Sequence, residues 1–188
     1  MISSIYIQNV HKNRQWTQQL LETLVDTTDL ILLQEPPRYF VKQIPSGTDP
    51  LGTPEHDTCH HAKWSKIFFH SNVSVYVNER VLATHNLFLH PTIDENIIAF
   101  SLEEQASSRC LHFVNCYNDL AKPTFERLIT FLDSSDLPNL FLAGDFNLHS
   151  PFWDAGIARP DNNKATTLLN RATNMGLILL KESHPGRL

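Results

Sequence analysis

The run NLFLAGDFNLHSPFWD, residues 139–154, constrains this chain more than any other stretch. An apolar strand runs to its end and then sets down Asp145, Asn147 and His149 at every second position. In an extended segment, side chains i, i+2 and i+4 point to the same face. The alternation therefore predicts three polar groups converging on one point, with the strand as their rigid mount.

The elements before and after that run set its context. Residues 4–8, SIYIQ, read as a short strand, and Trp16, Leu20, Leu21, Leu24 and Val25 recur behind it at helical spacing. DLILLQEPP is an apolar run too short for a helix and is stopped by Pro36 and Pro37, which suits a strand buried on both faces. Residues 36–66, rich in Pro, Gly, Thr and His, read as a long irregular connection. From 67 to 117 come KIFFH, VSVYV, NIIAFSLEE and CLHFVNCYN, with no convincing helix between them, and so read as antiparallel strands. A helix follows, with Pro123 near its start and Phe125, Leu128, Ile129 and Leu132 on one face; then strand 139–144, a helix over NNKATTLLNRATNMG closed by Gly176, and a strand at LILLK. Two strand-and-helix regions flanking a block of β runs predict two sheets packed face to face with helices outside, an α/β sandwich.

The bulk properties narrow the function. A length of 188 residues suits one domain with a real core, and 41% apolar with 19% charged residues excludes wholesale disorder. A net charge of −5 and a pI near 6.0 exclude a protein that holds nucleic acid by bulk charge alone. A polyanion must instead meet a local site or a metal. Cys59, Cys110 and Cys116 are odd in number and lack CxxC spacing, which fits a reducing compartment, nuclear or cytoplasmic, better than a disulfide framework. The N-terminus lacks the basic flank and apolar run of a signal peptide, and no apolar run approaches the roughly 18 residues of a membrane span. No secretion and no membrane partner are expected.

Four strands end in polar groups of catalytic type: Asn9, Glu35, Tyr117, and Asp145 with Asn147. Capping and turn roles explain any one of them singly. Together, carboxylates and amides presented from separate strands suit a divalent cation and a phosphate, because Mg²⁺ takes oxygen ligands and keeps several waters. In order and separation, QNV, LLQEP, NCYND and GDFNLHSPFWD resemble the endonuclease/exonuclease/phosphatase superfamily, and GDFN is the diagnostic run. GDFNLHSPFWD followed by NNKATTLLNRATNMGLILL most resembles the apurinic-endonuclease-like domain of LINE-type (non-LTR) retrotransposons, which nicks target DNA.

The resemblance implies a four-layer, deoxyribonuclease I-like α/β sandwich of two packed mixed sheets flanked by helices. It also implies that Glu35 binds Mg²⁺ or Mn²⁺ with help from Asn9, and that Tyr117 contacts the scissile phosphate. Asp145 would orient or deprotonate the attacking water, and Asn147 would stabilise the transition state. His149, Arg159 and Lys164, with Arg171, are weaker candidates for guiding a phosphate; Phe152 and Trp153 are expected to pack. DTCHH at 57–61 has no partner pair at zinc-ligand spacing.

Two departures from the family pattern stand out. After a strand like LILLK the family continues through further strands to another aspartate and a closing Ser-Asp-His run; KESHPGRL holds Ser183 and His184 without the intervening aspartate. Residues 1–188 are thus expected to be one such domain lacking its last strands, with a reverse-transcriptase domain expected downstream. Second, His11 stands two residues after Asn9, where the repair enzymes often carry an acid, which predicts weak metal binding. Two functions remain at this level: a metal-dependent DNA endonuclease, or a noncatalytic remnant of the fold that serves as a binding or interaction domain.

Overall fold

The structure, a computed structural model, describes residues 2–37, 59, 61–69, 72–91, 93–151 and 162–179. Its elements are β1 (Ile5–Asn9), α1 (Arg14–Thr23), β2 (Leu30–Gln34), β3 (Trp64–Phe69), β4 (Val73–Asn78), α2 (Glu79–Leu82), β5 (His85–Leu89), β6 (Ile97–Glu104), β7 (Cys110–Tyr117), α3 (Thr124–Ser134), β8 (Leu140–Asp145) and α4 (Asn162–Asn174). One sheet has the order β1-β2-β4-β3 and the other β5-β6-β7-β8. Both are mixed: β1/β2 and β7/β8 are parallel, and the remaining pairs are antiparallel.

The period-2 pattern of each strand sorts its side chains into layers. Ile5, Leu30, Leu32, Val75, Phe100 and Phe113 meet between the sheets, where the Phe100 and Phe113 rings stack at 4.9 Å. On the outside of the first sheet, Ile31, Leu33 and Tyr76 pack with Leu20 and Leu21 of α1. On the outside of the second, Val114, Cys116 and Leu140 receive Leu128 and Leu132 of α3 and Ala165 and Leu168 of α4. The result is the four-layer α/β sandwich of two packed mixed sheets flanked by helices that the sequence implied.

Several local expectations change. Trp16 is 38% exposed, and Thr17 takes the inward place on α1, since the helix starts at Arg14 after an Asn13 cap that accepts the Trp16 N–H at 3.0 Å. β3 begins at Trp64 rather than 67, with a register shift between Trp64 and Lys66. β5 was hidden in the sequence because Phe88 and Leu89, adjacent in the chain, are both half-exposed, which erases the alternation. The strand expected at LILLK is absent over residues 177–179: the Leu177 N–H is spent on the Ala172 carbonyl, closing α4 around Gly176 at φ +71, and Ile178 is exposed. Residues 180 and 181 of that run lie outside the described residues, as does most of the 36–66 connection. Cys59, Cys110 and Cys116 form no disulfide. Among the described residues no helix is long and apolar enough to cross a membrane.

One polar contact crosses the apolar layer between the sheets. Gln34 Nε2 donates to Asn115 Oδ1 at 2.6 Å, and Asn115 Nδ2 donates to the Leu33 and Ser74 carbonyls at 3.1 and 3.0 Å. Both side chains are buried, so removing one leaves the other's amide unsatisfied. Asn115→Ala is expected to cost about 2–4 kcal/mol, read as a lower urea midpoint at unchanged m-value. A loss below about 1 kcal/mol would mean that water or repacking replaces the pair.

Candidate active site

The inward positions of four strands follow one rule: apolar residues give way to polar ones toward the same end of the sandwich. The series are Ile5–Ile7–Asn9, Leu30–Leu32–Gln34, Phe113–Asn115–Tyr117 and Phe141–Ala143–Asp145. The parallel registers align these ends, with Asn9 opposite Gln34 in one sheet and Tyr117 opposite Asp145 in the other. Parallel pairing is what allows it, because an antiparallel neighbour would send its own polar end to the far side.

Asn9 ties the two sheets together here. Its Nδ2 donates to Glu35 Oε1 at 3.1 Å and to Asp145 Oδ2 at 2.8 Å, while its Oδ1 accepts the His11 N–H at 2.9 Å. Glu35 stands just beyond β2 with φ +48, its N–H on the Asn72 carbonyl and its carbonyl accepting the Lys12 N–H. His11, Lys12 and Asn147 share that left-handed region at φ +47, +59 and +47, so four of the six non-glycine residues at positive φ among the described residues surround this cluster. Each conformation costs on the order of 1 kcal/mol or more and persists only where surrounding bonds hold it.

Tyr117 completes the group. Burial raises its phenol above the ordinary value, and a hydrogen bond to Glu35, with the charges of Glu35 and Asp145, raises it further against the opposing hydrogen bond from Asn147. The phenol is therefore a protonated donor across the physiological range. The sequence placed Asn147 in the cluster by strand alternation, but it does not arrive that way. β8 ends at Asp145, and Asn147 turns back so that its N–H meets Asp145 Oδ1 at 3.1 Å and its Nδ2 meets the Asn118 carbonyl at 2.8 Å. The same turn breaks the alternation that was to carry His149, which is exposed.

The chain thus brings Asn9, Glu35, Tyr117, Asp145 and Asn147 together. Lys164 lies elsewhere: it pairs with Glu126 at 2.8 Å and stands 5.2 Å from the Phe125 ring centroid. Arg171 donates to the Leu132 carbonyl at 2.8 Å, bracing α4 on α3. Arg159, Phe152, Trp153, Ser183 and His184 lie outside the described residues. Two supports escaped the sequence reading. Buried Asn118 donates to the Phe146 carbonyl at 2.7 Å and through its N–H to the Asp145 carbonyl at 2.8 Å, clamping the turn that carries Asn147. Gly144 has φ +150, and a Cβ there would lie 2.0 Å from the Cys116 carbonyl oxygen, so only glycine lets β8 approach β7 just before Asp145. The glycine of GDFN was the available signal.

The donor set fits a hard cation in part. Glu35 and Asp145 offer carboxylate oxygens, and among the described residues neither has an ion-pair partner; one neutral amide stands between them. Asn9, however, turns its NH₂ to the carboxylates and its oxygen to His11, so ligation through Asn9 requires the amide to rotate. Among the described residues no group of three or more His, Cys, Asp or Glu side chains gathers at a single point.

No protein-family model matches the chain, and no curated protein matches it. Among solved structures it is similar to humanized D. rerio TDP2 carrying 14 mutations, at 10% identity and a TM-score of 0.48, over 94% of this chain and 67% of that one. It is also similar to the human Nocturnin catalytic domain with bound sulfate, at 16% identity and a TM-score of 0.45, over 73% and 58% of the two chains. A third is the inositol polyphosphate 5-phosphatase domain of SPsynaptojanin in complex with inositol (1,4)-bisphosphate and calcium ion, at 12% identity and a TM-score of 0.46, over 94% and 63%. The chain spans 58–67% of the length of these structures, and the likeness is one of overall shape, from which no activity follows.

The phenol gives a direct check on the geometry. Glu35→Gln removes the charge that helps hold the Tyr117 proton and leaves the burial, so the Tyr117 pKa is expected to fall toward that of an ordinary tyrosine. Ultraviolet titration, taken as the difference from Tyr117→Phe, measures it. Because the folded pKa is raised, this group's stabilising contribution is complete below about pH 10 and is lost as pH climbs through the folded pKa. An unchanged titration in Glu35→Gln would separate the two side chains.

Proposed function

We propose that this chain is a divalent-metal-dependent DNA endonuclease domain of the endonuclease/exonuclease/phosphatase superfamily, of the kind carried by LINE-type retrotransposon proteins. The observation that carries the reading is the Asn9 amide joining Glu35 of one sheet to Asp145 of the other beside Tyr117 and Asn147. These are the residue types that phosphodiester hydrolysis needs, brought to one end of a rigid sandwich by the four motifs that resemble the superfamily.

Hydrolysis of a phosphodiester gathers negative charge on the nonbridging and leaving oxygens, so donors fixed at the phosphate favour the transition state over the ground state. The Tyr117 O–H and the Asn147 amide are such donors. The Asp145 carboxylate, held by Asn9 and by the Asn147 N–H, accepts the proton of the attacking water or orients it. Glu35, with Asn9 once its amide has turned, would hold Mg²⁺ or Mn²⁺, which when bound supplies Lewis-acid charge neutralisation at the phosphate. Binding is expected to be weak, because one carboxylate and one amide are few protein ligands for a hard cation. With a net charge of −5, affinity for DNA must come from this local site rather than from the whole surface. A downstream reverse-transcriptase domain is part of the same proposal.

The test is nicking of supercoiled plasmid with Mg²⁺ or Mn²⁺, with Asp145→Ala as control. Metal-dependent nicking that falls at least about 100-fold in Asp145→Ala supports the reading, that being the usual scale for a general base. DNA binding without nicking, equal in the two proteins, would instead favour the noncatalytic binding domain. In a parallel Mn²⁺ titration, Glu35→Ala is expected to abolish the binding seen; retained affinity would move the metal elsewhere.

A further inference from the structure

We infer that Asn96, acting through Asn72, is a positioning residue that sets Glu35 against Tyr117 across the boundary between the two sheets. The inference rests on the proposed reading of those two side chains as working groups. Asn96 precedes β6, is fully buried, and has a partner for each of its polar groups. Its carbonyl accepts the Tyr117 N–H at 2.9 Å, and its Oδ1 accepts Asn72 Nδ2 at 2.7 Å. The Asn72 carbonyl in turn accepts the Glu35 N–H at 2.8 Å. One unbroken chain of hydrogen bonds therefore runs from the backbone of Glu35 in the first sheet to the backbone of Tyr117 in the second.

The other side of Asn96 is anchored to α3. Nδ2 donates to Thr124 Oγ1 at 3.1 Å, and its N–H meets Asp94 Oδ1 at 2.9 Å, while Asp94 is ion-paired to Arg127 at 2.6 Å. Thr124 and Arg127 belong to the start of α3, whose Pro123 cap has no side-chain bond, so this arm serves the helix. The arm through Asn72 does nothing for the helix. Among the described residues it reaches Glu35, which needs external support because its φ of +48 is not one that an unrestrained glutamate keeps. A fully satisfied buried amide is suited to this role, since any displacement leaves a polar group without a partner.

The two arms can be cut separately. Asn72→Ala removes the bond to Asn96 and keeps the backbone carbonyl that Glu35 uses; Asn72 is only half-buried, so the variant is expected to fold. Amide hydrogen exchange at Glu35 should quicken about three- to tenfold, the range one hydrogen bond supports, with exchange at Tyr117 unchanged. Mn²⁺ affinity and the kcat for nicking should fall by a similar factor at unchanged KM. Thr124→Ala cuts the helix arm and should lower Tm while leaving Glu35 exchange and Mn²⁺ affinity as in the wild type. The inference is overturned if Asn72→Ala leaves Glu35 exchange at the wild-type rate, or if Thr124→Ala shifts it as much. Because exchange needs neither metal nor DNA, a wild-type chain that neither binds Mn²⁺ nor nicks would sink the proposed function and leave this test standing.

Discussion

The Gln34–Asn115 amide pair is the contact on which the geometry of this molecule depends. Below the polar end, the layer around this pair is filled by apolar side chains, and apolar packing is tolerant: it rewards buried area and accepts more than one register. A buried amide pair is not tolerant. Sliding one sheet over the other by a residue would strand the Gln34 amide and both Asn115 donors in a dry layer, at a cost of several kcal/mol. The pair holds β2 and β7 in one alignment. Asn9 then faces Asp145, and Glu35 faces Tyr117, as consequences of that alignment.

Just past this floor the chemistry of the layer reverses. Below it, inward side chains are Leu, Val and Phe; above it, they are amides, a phenol and two carboxylates without ion-pair partners among the described residues. Keeping two carboxylates within reach of one amide is unfavourable in isolation, and so is the left-handed backbone of Glu35 and Asn147. Both tensions sit on the rigid ends of parallel strands and are held by the carbonyls of Asn72 and Asn118.

Much of this was legible in the chain. Asn9, Glu35, Tyr117, Asp145 and Asn147 each follow an apolar run that reads as a strand, and as a set their types suited a cation and a phosphate. Less legible was anything that depends on backbone outside the strands. Asn147 was expected on the strand's face and instead arrives by a turn, because β8 ends at Asp145 and alternation ends with it. Trp16 has the spacing of a core residue, yet it stays 38% exposed while Thr17 takes the inward place at the start of α1. Lys164 has the charge of a phosphate ligand, yet Glu126 and Phe125 claim it.

The amino-acid sequence by itself determined most of the strands and helices and the polar residues at strand ends. These follow from periodicity and local chemistry, which act over a few residues. Only the tertiary structure decided which of those residues meet. Gln34 finds Asn115 across 81 positions and Asn9 finds Asp145 across 136. No local pattern encodes such pairs, because their partners are selected by the packing of one whole sheet on another.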